Sequence, residues 1–68
     1  MRDFHQIIVV LKKYISIDKK VYDKDVAEIL NISQSQFATL KRRNSIPFIK
    51  ILEFCKKESL CCNEVFFD

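Results

Sequence analysis

In the stretch Gln34-Ser35-Gln36-Phe37-Ala38-Thr39-Leu40-Lys41-Arg42, polar side chains recur at helical spacing. With Phe37 and Leu40 pointing inward, Gln34, Ser35, Ala38, Thr39 and Arg42 share the opposite face, at i, i+1, i+4, i+5 and i+8. That face carries an amide, hydroxyls, a methyl and a guanidinium, and no acid. The set matches the edges of nucleic-acid bases. Glutamine pairs bidentately with adenine, arginine with guanine, serine or threonine with several partners, and alanine touches a thymine methyl. Such a face on an isolated helix is more often merely solvated. Its surroundings decide the reading.

Those surroundings are Asp23 to Arg42, which read as two short helices joined by a tight turn, the arrangement that sets a second helix into a DNA groove. Val26, Ala27 and Leu30 fall on one face of the first helix. Asn31 interrupts, as one of the few non-glycine residues that tolerate a left-handed turn, and Ile32 follows as an apolar plug. Ser33 to Gln36 has the S-x-x-Q form of a capping box, which satisfies free N–H groups at the next helix start. Ala27 matters for its smallness, since two helices meeting beside their turn leave room for little more than a methyl.

Charge distribution points the same way. The net charge is only +3, yet Ser33 to Lys50 holds Lys41, Arg42, Arg43 and Lys50 and no acid, while Glu58 to Asp68 holds three acids and no base. Lys19, Lys20 and Lys24 form a second basic group. One face set against phosphates suits this asymmetry. Lys24, Ser33, Lys41, Arg43 and Asn44 are the expected backbone contacts, and Gln34, Ser35, Ala38, Thr39 and Arg42 the expected base readers. Lys56 and Lys57 read as solubilising charge.

The 68 residues allow one domain (1–68) with one small core, and the absence of glycine with a single proline argues for an all-α fold. Helices are expected at approximately 3–15, 23–30, 34–42, 47–58 and 62–67. Asp3 can cap the first, whose stripe is Phe4, Ile7, Ile8, Leu11 and Ile15; Val9 and Val10 cannot both join it. Pro47 opens the fourth helix, on which Phe48, Ile51, Leu52 and Cys55 line one face, Phe54 sits at its margin and Ile49 falls off it. The apolar tail offers Leu60, Val65 and Phe66 or Phe67 to the core or to a second copy. His5 reads as an exposed first-turn residue.

A resemblance adds to this. Ala27, the turn at Asn31, Phe37 and Leu40 follow helix-turn-helix repressor spacing, and RRNSIPFIKILEFCKKESL, with its Arg43-Asn44-Ser45-Ile46-Pro47 lead into a helix, resembles the N-terminal domain of bacteriophage CI-type repressors. The likeness runs over roughly residues 7 to 67. It implies a compact five-helix, lambda-repressor-like domain that binds a double-stranded DNA operator, usually as a homodimer.

Other classes find less support. Cys55 sits on an apolar face, and adjacent Cys61-Cys62 without a C-x-x-C or a second histidine make no zinc site. An odd cysteine count without a leader suits a reducing cytoplasm, for a repressor the bacterial nucleoid. There is no Ser-His-acid set, carboxylate pair or glycine-rich phosphate loop, so neither an enzyme, a small-molecule substrate nor a cofactor is expected. No run reaches the ~18 apolar residues of a membrane span. The serious alternative is a helical protein–protein interaction module without DNA contact.

Overall fold

The computed structural model describes residues 1–67, so Asp68 lies outside the described residues. Five helices follow one another: α1 (Phe4–Ile15), α2 (Asp23–Ile29), α3 (Gln34–Arg43), α4 (Phe48–Lys57) and α5 (Cys62–Phe66). The domain is all-α, as expected, and each helix matches its sequence-expected span to within one residue at either end.

Local chemistry sets the starts. Asp3 caps α1 in a reciprocal box: its Oδ1 accepts from the Gln6 N–H at 2.8 Å, and Gln6 Oε1 accepts from the Asp3 N–H at 2.9 Å. At α2, Asp25 Oδ2 accepts from the Tyr22 N–H at 2.9 Å, and the carboxylates of Asp23 and Asp25 lie in the first turn, where the helix dipole favours them. At α3, Ser33 Oγ accepts from the Gln36 N–H at 3.1 Å. The expected reciprocal bond from Gln36 is not among the hydrogen bonds of the described residues, so this box is half-formed. Pro47 is the cap residue before α4 rather than its first helical residue.

The ends repeat one device. Ile32 and Asn31 donate to the carbonyls of Ala27 and Glu28, Ser45 and Asn44 to those of Leu40 and Lys41, and Leu60 and Ser59 to those of Cys55 and Lys56. Each pair is a Schellman motif, which needs a left-handed residue just past the helix. Glycine is the usual choice, and this chain has none. Asn31 (φ 57°), Asn44 (φ 53°) and Ser59 (φ 56°) take the position instead.

Packing follows from the stripes. Phe4, Ile7, Ile8 and Leu11 of α1, Val26, Ala27 and Leu30 around α2, Phe37 of α3, Ile51, Phe54 and Cys55 of α4, and Val65 and Phe66 of α5 form one core. Phe4 meets Phe37 edge-to-face at 5.5 Å, which fixes α3 against the start of α1. Arg2 N–H donates to the Phe66 carbonyl at 2.7 Å and ties α5 to the chain start.

The α4 reading needs correction. Its buried stripe is Ile51, Phe54 and Cys55, at i, i+3 and i+4. Phe54, expected at the margin, is 8% exposed, whereas Leu52, expected inside, is 42% exposed. At about 100° per residue, Leu52 lies roughly 110° around the helix from the centre of the Ile51, Phe54 and Cys55 stripe, so it faces away from the core. Phe48 also stays half in solvent, with its ring 5.5 Å from that of Phe66. Ile15 is a second correction: the last residue of α1 runs past the core and is exposed, while Tyr14 stacks edge-on to Phe54 at 5.8 Å. Val9 and Ile49 are exposed, in line with the sequence reading, and Phe66 rather than Phe67 enters the core.

Candidate nucleic-acid interface

Two helices and a four-residue turn build the site. Ala27, 1% exposed, lets α2 approach α3, and the Asn31 turn aims Ile32 back against the core. With Phe37 buried beneath it, α3 turns Gln34, Ser35, Ala38 and Arg42 into solvent and leaves Thr39 partly covered. The helical face drawn from the sequence is therefore the outward one.

Gln34, Ala38 and Arg42 open onto a groove of about 510 Å³, shared with Lys24, Ala27 and Asp23 of α2, Lys41 and Phe37 of α3, and His5 of α1. Amide, methyl and guanidinium thus line one wall and Lys24 the other. Ser35 and Thr39 lie outside this groove. Thr39 Oγ1 donates to the Ser35 carbonyl at 3.1 Å, one turn back. With its proton so placed, Thr39 offers outward an acceptor and a methyl, which suits an exocyclic amine or a thymine methyl more than a base acceptor.

Of the five residues expected to hold phosphates, each has a distinct setting. Lys24 is exposed, its Nζ 5.8 Å from the centre of the Tyr22 ring, over which Lys20 Nζ also lies at 5.4 Å. One aromatic ring so gathers two ammonium groups at the start of α2. Arg43 is exposed at the end of α3. Ser33 uses its oxygen as the α3 cap. Lys41 is engaged: its Nζ lies 2.6 Å from Asp23 Oδ2, while Lys12 Nζ lies 2.8 Å from Asp23 Oδ1. Lys12 first and then Lys41 hold the Asp23 carboxyl below the usual carboxylate range. The one acid in the groove is thereby neutralised, at the expense of Lys41 as a free cation.

Asn44 has the most structural of these positions. It adopts the left-handed conformation that ends α3, and its Oδ1 accepts from the Phe4 N–H at 3.0 Å. Phe4 carries one of the N–H groups that α1 leaves without an internal partner. The NH2 group of the exposed Asn44 makes no hydrogen bond among the described residues.

His5 is what sequence reasoning undervalued. It is exposed as expected, yet it closes the α1 end of the groove that holds Gln34, Ala38 and Arg42. The Phe4–Phe37 contact and the Asn44–Phe4 bond bring it there. No local pattern around a lone first-turn histidine carries that information.

Among the described residues no cluster of metal-ligating side chains occurs, and no helix is long and apolar enough to cross a membrane. No family model matches the chain, and neither a curated protein nor a solved structure shows significant similarity to it.

Proposed function

We propose that this domain binds double-stranded DNA sequence-specifically, as a transcriptional repressor of the phage CI type, with α3 lying in the major groove. One observation carries the reading. Gln34, Ala38 and Arg42, from the acid-free face of α3, and Lys24 of α2 open together onto one groove, beside a turn whose geometry is held by Asn31. Gln34, Ser35, Ala38, Thr39 and Arg42 read base edges, and Lys24, Arg43 and the Asn44 amide hold the backbone. Lys41 joins them only when a phosphate competes with Asp23. The protein is a binding module rather than an enzyme and acts at the nucleoid in a reducing bacterial cytoplasm.

A single short reading helix spans too few base pairs for useful specificity, so two copies bind half-sites about one helical turn apart. Phe48, Ile49 and Leu52, at 44%, 71% and 42% exposure, give α4 an apolar outer strip that shares none of the reading groove, and we assign it to the second copy. The same strip is the observation that favours the rival reading, a helical module that docks another protein and leaves DNA alone.

Selection from a random duplex pool separates the two. Enrichment of a palindromic consensus supports the repressor reading. Failure to enrich any sequence, repeated with the domain dimerised by an appended coiled coil, overturns it.

A further inference from the structure

His5 opens onto the groove that holds Gln34, Ala38 and Arg42, but it belongs to neither the base readers nor the backbone holders. Its neighbours on both sides are pinned. The Phe4 N–H donates to Asn44 Oδ1 at 3.0 Å, and the Gln6 N–H to Asp3 Oδ1 at 2.8 Å. The Phe4 ring meets that of Phe37 at 5.5 Å, so α1 enters the groove at a fixed place relative to α3. His5 itself is exposed, and its imidazole makes no hydrogen bond or ion pair among the described residues. Both ring nitrogens are free to meet a ligand.

The charged groups around it come from three helices. Lys24 and Asp23 of α2, and Lys41 and Arg42 of α3, line the same groove. Asp23 is occupied by Lys12 and Lys41, at 2.8 and 2.6 Å, and Asp3, the acid nearest in sequence, is occupied as the α1 cap. Lys24 and Arg42 are left to set the sign of the groove. An anion drawn in by those two cations meets His5 at the α1 end.

We infer that His5 is a further backbone contact, which hydrogen-bonds a DNA phosphate at the α1 end of the groove and takes up a proton as it does so. This rests on the DNA-binding reading and adds a dependence on pH to it. Imidazole is the side chain whose ordinary charge change falls between about pH 5 and 8. A phosphate beside it favours the charged form, so binding DNA takes up protons. By linkage, affinity then rises as pH falls through that window and declines as pH rises through it. Aspartate, lysine and arginine side chains ordinarily hold their charge there, which leaves the signal in this groove to His5.

The test titrates a labelled duplex of random sequence at about pH 6 and about pH 8, each at several salt concentrations, because phosphate contacts are independent of sequence. The wild-type chain should bind roughly 3- to 10-fold tighter at the lower pH. Its salt slope there should be steeper by about one unit, while at the higher pH the slope is that of Lys24 and Arg43 alone. His5→Gln should bind alike at both pH values, with the shallower slope. His5→Lys, with a permanent charge, should also bind alike at both and keep the steeper slope. The position is exposed, and an unchanged melting temperature verifies that each variant folds. Salt-dependent binding without a pH response, or with one that persists in His5→Gln, would overturn the inference and leave the DNA reading standing. A pH response confined to a selected duplex would make His5 a base reader and overturn the phosphate assignment. Absence of binding to any duplex at either pH would overturn both.

Discussion

The Asn44 side chain accepts a hydrogen bond from the Phe4 N–H at 3.0 Å, so the residue that stops α3 also holds the first turn of α1. One residue thereby joins two tasks, a left-handed backbone turn and a bridge across forty positions of sequence. The orientation of α3 against α1, and hence the place of His5 in the groove, rests on it.

Three substitutions at Asn44 separate those tasks. Asn44→Gly keeps the turn and loses the bridge, and should cost about 0.5–1.5 kcal/mol. Asn44→Ala loses both and should cost about 2–3 kcal/mol, since the left-handed position adds roughly 1–2 kcal/mol for alanine. Asn44→Asp keeps an acceptor and should be the mildest. Urea unfolding of the three variants checks the order; equal losses for glycine and alanine would show that the backbone conformation matters little.

Ser59 is the least suited of the three left-handed residues, because its side chain gives less local compensation there than that of asparagine. Ser59→Gly should stabilise the domain by about 0.5–1 kcal/mol, read as a rise in melting temperature. Asn31→Gly should gain less. A destabilised Ser59→Gly would mean that the hydroxyl has a role that the backbone does not reveal.

Asp23 bridges α1 and α3 through Lys12 and Lys41. Its carboxyl is held below the usual carboxylate range, so its contribution to stability is present above the unfolded value and is lost as pH falls through the depressed folded one. Stability should therefore decline in acid, below about pH 4, and Asp23→Asn should flatten that decline. Because the pairs are partly exposed, each contributes only ~0.2–1 kcal/mol near neutrality. The same variant frees Lys41, so it should bind DNA of any sequence more tightly and with a steeper salt slope. Unchanged DNA affinity in Asp23→Asn would place Lys41 away from the phosphates.

Base readers and backbone holders should differ in kind. Gln34→Ala should lose ~1–3 kcal/mol on the selected duplex and little on random DNA. Arg43→Ala should weaken binding to both alike and reduce the salt slope by about one unit. Titration of both duplexes with each variant distinguishes them, and equal losses for Gln34→Ala on the two DNAs would remove it from the reading face. Leu52→Glu should leave monomer folding intact and abolish cooperative binding to paired half-sites; retained cooperativity would move the dimer contact off α4.

The elements themselves were legible because their signals are local. Apolar spacing gave α1 and α3, Asn31 marked the turn, and Asp3 and Ser33 marked helix starts. The outward face of α3 followed once Phe37 and Leu40 were assigned inward. What escaped depends on how helices pack. Leu52 and Phe54 exchange burial because the rotation of α4 is set by its neighbours, and its own sequence carries apolar residues nearly all round. Lys41 looked free because Asp23 lies eighteen residues away, and the sequence does not state that α2 and α3 bring them together. The roles of His5 and Asn44 hang on the same long-range arrangement.

The most direct measurement is the affinity of the domain for a labelled duplex across a range of salt concentrations, read by fluorescence anisotropy. The two backbone cations of each copy, Lys24 and Arg43, predict a slope of roughly −2 for log affinity against log salt per copy bound. That slope should fall by about one unit in Arg43→Ala. Binding that is absent at low salt, or indifferent to salt, would contradict the account and leave the α4 strip as the docking surface of a protein-binding module.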